Sequence, residues 1–125
     1  MAAKIKVLLV DDEKGILRVL SIKLKISGYE VVTATCGQEA CDLIETANPD
    51  VMVLDVVMPG MDGLELLQKL RLTSSLPVIV YSARPSLATE AMRCGADDFL
   101  PKPFDVNELV KRIEALLHLD ESSAG

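Results

Sequence analysis

The stretch Val51-Met-Val-Leu-Asp55-Val-Val-Met-Pro59-Gly60-Met-Asp-Gly63 decides how the chain is read. An apolar run ends on a single acidic residue. More apolar residues follow, then a turn rich in Pro and Gly, then a helical pattern. A carboxylate placed directly after a buried strand has solvent on one side only. Aspartate is seldom buried without a partner, because stripping water from an unpaired charge is costly. Asp55 therefore needs a chemical reason to be where it is.

The same alternation extends in both directions. Upstream, Ile5 to Val10 is a short continuous apolar run, read as a buried strand that ends at Asp11-Asp12-Glu13. From Lys14 to Ser27, Ile16, Leu17, Leu20 and Leu24 recur at a helical period, and Gly28 is a C-terminal stop. Glu30 to Ala34 is a shorter, less apolar strand suited to a sheet edge. Gly37 to Ala47 reads as a helix with Ala40, Cys41, Leu43, Ile44 and Ala47 inward, ended at Asn48-Pro49-Asp50. The central strand is then Val51 to Leu54, Pro59-Gly60 is the turn, and Gly63 to Leu70 is the third helix. Downstream, Pro77 to Tyr81 is a strand with proline at its first residue, and Ser86 to Cys94 is a weakly patterned helix closed by Gly95. Asp98 to Leu100 is a fifth strand, followed by Pro101-Lys102-Pro103. The last helix, about Val106 to His118, has Asp105 as N-cap and Glu108 three residues on, as in a capping box. A polar tail, 119–125, follows a core of about 4–118, so that 1–125 reads as one domain. Strand and helix alternate five times, which predicts an α/β fold: a (βα)5 three-layer sandwich around a five-stranded parallel sheet.

Composition narrows the function classes. The 125 residues are 50% hydrophobic, with a mean hydropathy of +0.31, which fits strands buried on both faces. The net charge is −6 and aromatics are 3% with no Trp. Neither the basic patch of a nucleic-acid binder nor a base-stacking platform is present in such a composition. Cys36, Cys41 and Cys94 are odd in number and form no C-x-x-C, which reads as reduced thiols in a cytoplasmic protein. No signal-peptide pattern opens the sequence and no apolar run reaches the length of a membrane span.

The chemistry lies in the residues directly after the strands. They are Asp11, Asp12 and Glu13 after the first, Asp55 after the third, Ser82 after the fourth and Lys102 after the fifth. Ligands in open α/β sheets sit beyond the carboxyl ends of the strands, at the point where strand order reverses. If the first and third strands are neighbours there, Asp11, Asp12 and Asp55 converge. Carboxylates a few ångströms apart repel by roughly 3–4 kcal/mol per pair at an effective dielectric near 20, so they call for a cation. Hard oxygen ligation suits Mg²⁺ or Mn²⁺ rather than Zn²⁺. His118, the one histidine, lies on the last helix and offers no competing cluster. A metal-flanked Asp55 is a nucleophile for phosphoryl transfer, with Lys102 supplying a cation and Ser82 a hydrogen bond to the phosphoryl group. Taken singly, each acid reads first as a loop residue or helix cap. Acid, acid, hydroxyl and base at four strand ends together do not.

These residues carry a resemblance. Val10-Asp11-Asp12-Glu13, Leu54-Asp55-Val-Val-Met-Pro59-Gly60-Met-Asp-Gly63, Ser82-Ala83, Gly95-Ala-Asp-Asp-Phe99-Leu and Lys102-Pro103-Phe104 stand in order and at the spacing of response-regulator receiver domains of two-component signalling. The sequence resembles that CheY-like family from about Lys4 to His118. The resemblance implies a flavodoxin-like strand order of 2-1-3-4-5. It implies that Asp55 accepts a phosphoryl group from a phosphohistidine of a sensor histidine kinase or phosphotransfer protein. Asp12, Asp55 and the backbone carbonyl of Val57 would bind Mg²⁺ directly, and Asp11 largely through water. Lys102 would hold the phosphoryl group and precede a cis peptide to Pro103. Ser82 would swing toward the phosphate and Phe99 turn inward. The switched surface would be the fourth helix, fifth strand and fifth helix, read by an output domain, a protein partner or a phosphorylation-dependent homodimer.

Two departures stand out. Phe99 occupies a position where many members have Tyr, and Pro101 one where a small polar residue is common. The resemblance also implies that Val57 and Arg84 flank the pocket and would tune the lifetime of the phosphate. Three other readings remain open at this point. A haloacid-dehalogenase-type phosphatase would place a second Asp where Val57 stands. A phosphorylation-independent pseudo-receiver would have no need of the full polar set. A flavin-binding flavodoxin would want a Ser/Thr-rich phosphate loop where Asp11-Asp12-Glu13 would repel phosphate.

Overall fold

The computed structural model describes residues 4–58 and 61–117. In chain order the elements are β1 (Lys6–Val10), α1 (Lys14–Ile26), β2 (Glu30–Ala34), α2 (Gly37–Thr46), β3 (Val51–Asp55), β4 (Val57–Met58), β5 (Met61–Asp62), α3 (Gly63–Arg71), β6 (Val78–Ser82), α4 (Ala88–Arg93), β7 (Asp98–Pro101) and α5 (Val106–Leu116). Five strands form one parallel sheet in the order β2-β1-β3-β6-β7. This is the implied 2-1-3-4-5 order once the two-residue antiparallel ribbon β4-β5 is set aside.

The central strands are apolar throughout because both of their faces are covered. Leu8, Val10, Met52, Leu54, Val78 and Val80 pack with Ala40 of α2, Leu67 of α3 and Ala91 of α4. The alternate residues Val7, Leu9, Val51, Val53, Ile79 and Tyr81 pack with Leu17, Leu20 and Leu24 of α1 and Leu109 and Ile113 of α5. Neighbouring strands β1 and β3 thus send their following helices, α1 and α3, to opposite faces. Their loops part at the top of the sheet and leave a crevice there.

Several boundaries differ from the sequence expectation. The third strand includes Asp55 and the fourth includes Ser82, since Asp55 pairs in register with Tyr81 and Ser82 with Pro101. Backbone ladders are indifferent to side-chain polarity, so a strand need not stop where its apolar run stops. The helix expected over 86–94 begins instead as a 3-10 turn, Pro85–Leu87, closed by the Leu87 N–H on the Arg84 carbonyl. Cys41, expected inward on α2, is exposed. The capping box at α5 is only half made. Asp105 accepts from the Asn107 N–H, but Glu108 turns to Arg112 at 3.1 Å. An ion pair one turn along the helix has displaced the reciprocal cap. The turn expected at Pro59-Gly60 and the polar tail lie outside the described residues.

Gly63 fixes how the loop after Asp55 meets α3. Asp62 caps the helix, accepting from Leu64 N–H and Glu65 N–H. A Cβ on Gly63 would stand 2.5 Å from the Val56 Cα, a backbone atom that cannot give way without moving the Asp55 loop. Gly63→Ala is expected to lower stability by about 1–3 kcal/mol, the usual cost of overpacking. The midpoint of urea unfolding measures it, and an unchanged midpoint would refute the close approach.

Candidate functional site

Asp11, Asp55, Ser82 and Lys102 come together at the carboxyl ends of β1, β3, β6 and β7. Asp11 and Ser82 are wholly buried and Asp55 nearly so. Asp11 leaves β1 with its own N–H bound to the Ala34 carbonyl, which keeps it against the sheet. Its Oδ1 accepts from Glu13 N–H at 2.9 Å. Asp55 Oδ1 accepts from Val57 N–H at 3.0 Å. Lys102 Nζ spans the two remaining oxygens, 3.2 Å from Asp55 Oδ2 and 3.4 Å from Asp11 Oδ2. The Lys102 N–H binds the Ser82 carbonyl at 2.8 Å, tying the lysine to the strand that carries the hydroxyl. The Lys102–Pro103 peptide is cis.

Asp12 is the exposed member of the group. Each of Asp11, Asp12 and Asp55 offers an oxygen within 4.8 Å of the other two. Three carboxylates against one ammonium leave an excess of two negative charges. All donors are hard oxygens and one side of the group is open. This chemistry fits a divalent cation of the Mg²⁺ type.

The electrostatics follow from burial. Loss of solvent pushes the Asp55 carboxyl above its ordinary range. The Val57 N–H and the Lys102 ammonium pull it back, and the Asp11 charge adds to the rise. Burial works against the Lys102 ammonium, but the carboxylates of Asp11 and Asp55 outweigh it and hold the amine above its ordinary value. A single lysine answers two acids, so it stays charged while Asp55 remains under-compensated.

The other expected site residues sit around this centre. Ser82 Oγ accepts from Arg84 N–H at 3.0 Å, which leaves its proton free to donate. Val57 is exposed beside Asp55. Phe99 is half-buried on β7, paired with Val80 and packed on the core shared by α2, α3 and α4. Pro101 closes β7 and is exposed. Tyr81 was not among the expected residues, yet its hydroxyl lies 2.5 Å from Asp11 Oδ2. Its ring stands 4.7 Å below Lys102 Nζ and meets Phe104 edge-on. Burial and the Asp11 carboxylate push the phenol well above its ordinary value, so it keeps its proton and donates it to that carboxylate. The available signal was a tyrosine in an otherwise apolar strand, because a buried phenol must find a partner for its hydroxyl.

The model of the response regulator receiver domain family matches residues 7–114. The chain belongs to that family. Response regulator MprA of Mycolicibacterium vanbaalenii is 45% identical over 116 residues, covering 90% of this chain and 50% of that protein. The chain thus spans about half the length of the curated relatives it matches. Among solved structures, the receiver domain of Francisella response regulator 1452 superposes with a TM-score of 0.84 at 40% identity, covering 90% of this chain and 96% of that one. TrrA of Thermotoga maritima, solved in complex with Mg²⁺-BeF, gives 0.82 at 32% identity, covering 90% and 98%. The receiver domain is a signalling module of two-component systems, so the phosphatase and flavodoxin readings fall away. No helix among the described residues is long and apolar enough to cross a membrane.

The raised carboxyl of Asp55 has a consequence for stability. Its folded value lies above the unfolded one, so ionisation costs stability as pH rises through the folded value, and nothing is lost below about pH 4, where both states are protonated. In metal-free buffer, Asp55→Asn is expected to melt a few degrees higher than the wild type at neutral pH. The gain should vanish below about pH 4. Thermal melts with a chelator measure it; a variant less stable at neutral pH would contradict the imbalance.

Proposed function

We propose that this receiver domain is a phosphoacceptor switch in which Asp55 takes a phosphoryl group from a sensor histidine kinase or phosphotransfer protein. One observation carries the reading: Lys102 bridges buried Asp55 and Asp11 while Asp12 offers a further oxygen to the same point. An Asp55 oxygen attacks phosphorus, a P–O bond forms, and the P–N bond to the donor imidazole breaks with its electron pair retained by nitrogen. Mg²⁺, or Mn²⁺, would be held by Asp12, Asp55 and the Val57 carbonyl, with Asp11 behind them, and would neutralise charge on the transferring oxygens. Lys102 leaves the carboxylates to hold the phosphoryl oxygens, and the Ser82 hydroxyl, whose proton is free, donates to them. The domain acts only on its own phosphorylation and dephosphorylation, not on a turned-over substrate.

The added charge of about −1.5 to −2 biases a two-state surface. Ser82 and Phe99 connect the site to the face of α4, β7 and α5, which an output domain, a protein partner or a second copy would read. Residues 1–125 are one receiver unit, working in the cytoplasm without direct nucleic-acid contact.

Incubation with acetyl phosphate or beryllofluoride and Mg²⁺, read by intact mass, tests the reading. One adduct is expected on the wild type and none on Asp55→Asn. Lys102→Ala is expected to slow labelling about a hundredfold, as for loss of one transition-state donor. An unlabelled wild type would mark a phosphorylation-independent docking module. Steady release of phosphate from an ester would mark an enzyme.

A further inference from the structure

Tyr81 is the largest of the fully buried side chains among the described residues. It belongs by position to the core under α1 and α5, where a phenylalanine would fill nearly the same space. Its hydroxyl has one proton and two acceptors in reach, Asp11 Oδ2 at 2.5 Å and the Val10 carbonyl at 3.5 Å. The nearer, charged oxygen takes it. The Asp11 side chain has no exposure to bulk solvent. Its other donor is Lys102 at 3.4 Å, which is shared with Asp55.

Lys102 therefore cannot serve a phosphoryl group on Asp55 and remain on Asp11 to the same degree. A phosphoryl group brings new anionic oxygens to the Asp55 side. When the amine shifts toward them, Asp11 Oδ2 loses one of its two donors and keeps the Tyr81 hydroxyl. A buried carboxylate oxygen without a donor is heavily penalised, and the penalty would oppose the shift. The Tyr81 hydroxyl does not move with Lys102, because its ring is wedged in the core against Phe104. We propose that Tyr81 is a positioning residue for phosphoryl transfer: its hydroxyl keeps buried Asp11 Oδ2 satisfied, so that Lys102 is released from Asp11 onto the phosphoryl group of Asp55. That role presupposes Asp55 as the phosphoacceptor, and the test separates the two.

Tyr81→Phe subtracts one hydroxyl and keeps the ring under Lys102. The full chain is labelled with acetyl phosphate over a range of donor and Mg²⁺ concentrations. At saturation the variant is expected to label about tenfold more slowly, the scale of one hydrogen bond to a charged group. Half-saturating concentrations should stay within about threefold, since the hydroxyl acts on the transfer and not on binding. A second readout needs no variant. The Tyr81 hydroxyl proton of the wild type should give a slowly exchanging NMR line in metal-free protein, and that line should persist after Mg²⁺ and beryllofluoride are added. A Tyr81→Phe protein that melts lower but labels at the wild-type rate overturns the role, leaving a purely structural tyrosine. Loss of the hydroxyl line on adduct formation also overturns it, and decides the matter should the variant not fold. A wild type that forms no adduct at all overturns the phosphoacceptor reading and the Tyr81 role together.

Discussion

One ammonium group shared between two buried carboxylates is the constraint on which the rest of the site depends. Among the described residues Lys102 is the cation within reach of both Asp55 and Asp11, and both acids are buried. Charge repulsion in that setting is strong, and one lysine cannot cancel it. The group is stable enough to fold yet left with excess negative charge. A site in that condition favours a divalent cation, and it rewards an arrangement in which the lysine is free to move to a newly arrived anion.

The parallel sheet supplies the place for such a group. Its central strands are covered on both faces, so charge can surface only at the strand ends. At the carboxyl end, β1 and β3 send their chains to opposite faces and leave an opening. Backbone N–H groups of Glu13, Val57 and Arg84 each bind a side-chain oxygen of the residue two positions earlier, namely Asp11, Asp55 and Ser82. The acids and the hydroxyl are thereby fixed by the first turn of their own loops. No buried side-chain nitrogen or oxygen among the described residues lacks a partner. The arrangement is thus set before any ligand arrives, which is what a phosphoryl-transfer centre needs in order to act through positioning and charge.

Much of this was legible in the residues. The alternation of apolar runs with helical periods specified the layers, and acid, hydroxyl and base at four strand ends specified the chemistry. The strand limits were less legible: Asp55 and Ser82 belong to their strands because the ladder continues past the last apolar side chain. Glu108 was read as half of a capping box, yet it pairs with Arg112, which also reaches Asp98 on β7. A short-range motif lost there to a partner that only the packing of α5 on the sheet brings near. Cys41 faces solvent for a similar reason, since one apolar residue more or less on a helix is settled by how the helix rolls against its neighbours.

The sequence by itself determined the fold class, the family and the identity of the polar groups at the strand ends. Those features depend on periodicity and on local spacing, both of which are written along the chain. Only the tertiary structure decided which groups touch. Lys102 meets Asp11 across 91 residues and Tyr81 meets Asp11 across 70. Such contacts depend on strand order and on which face each side chain takes, and a single step in register would turn Tyr81 away from Asp11 and toward the opposite core.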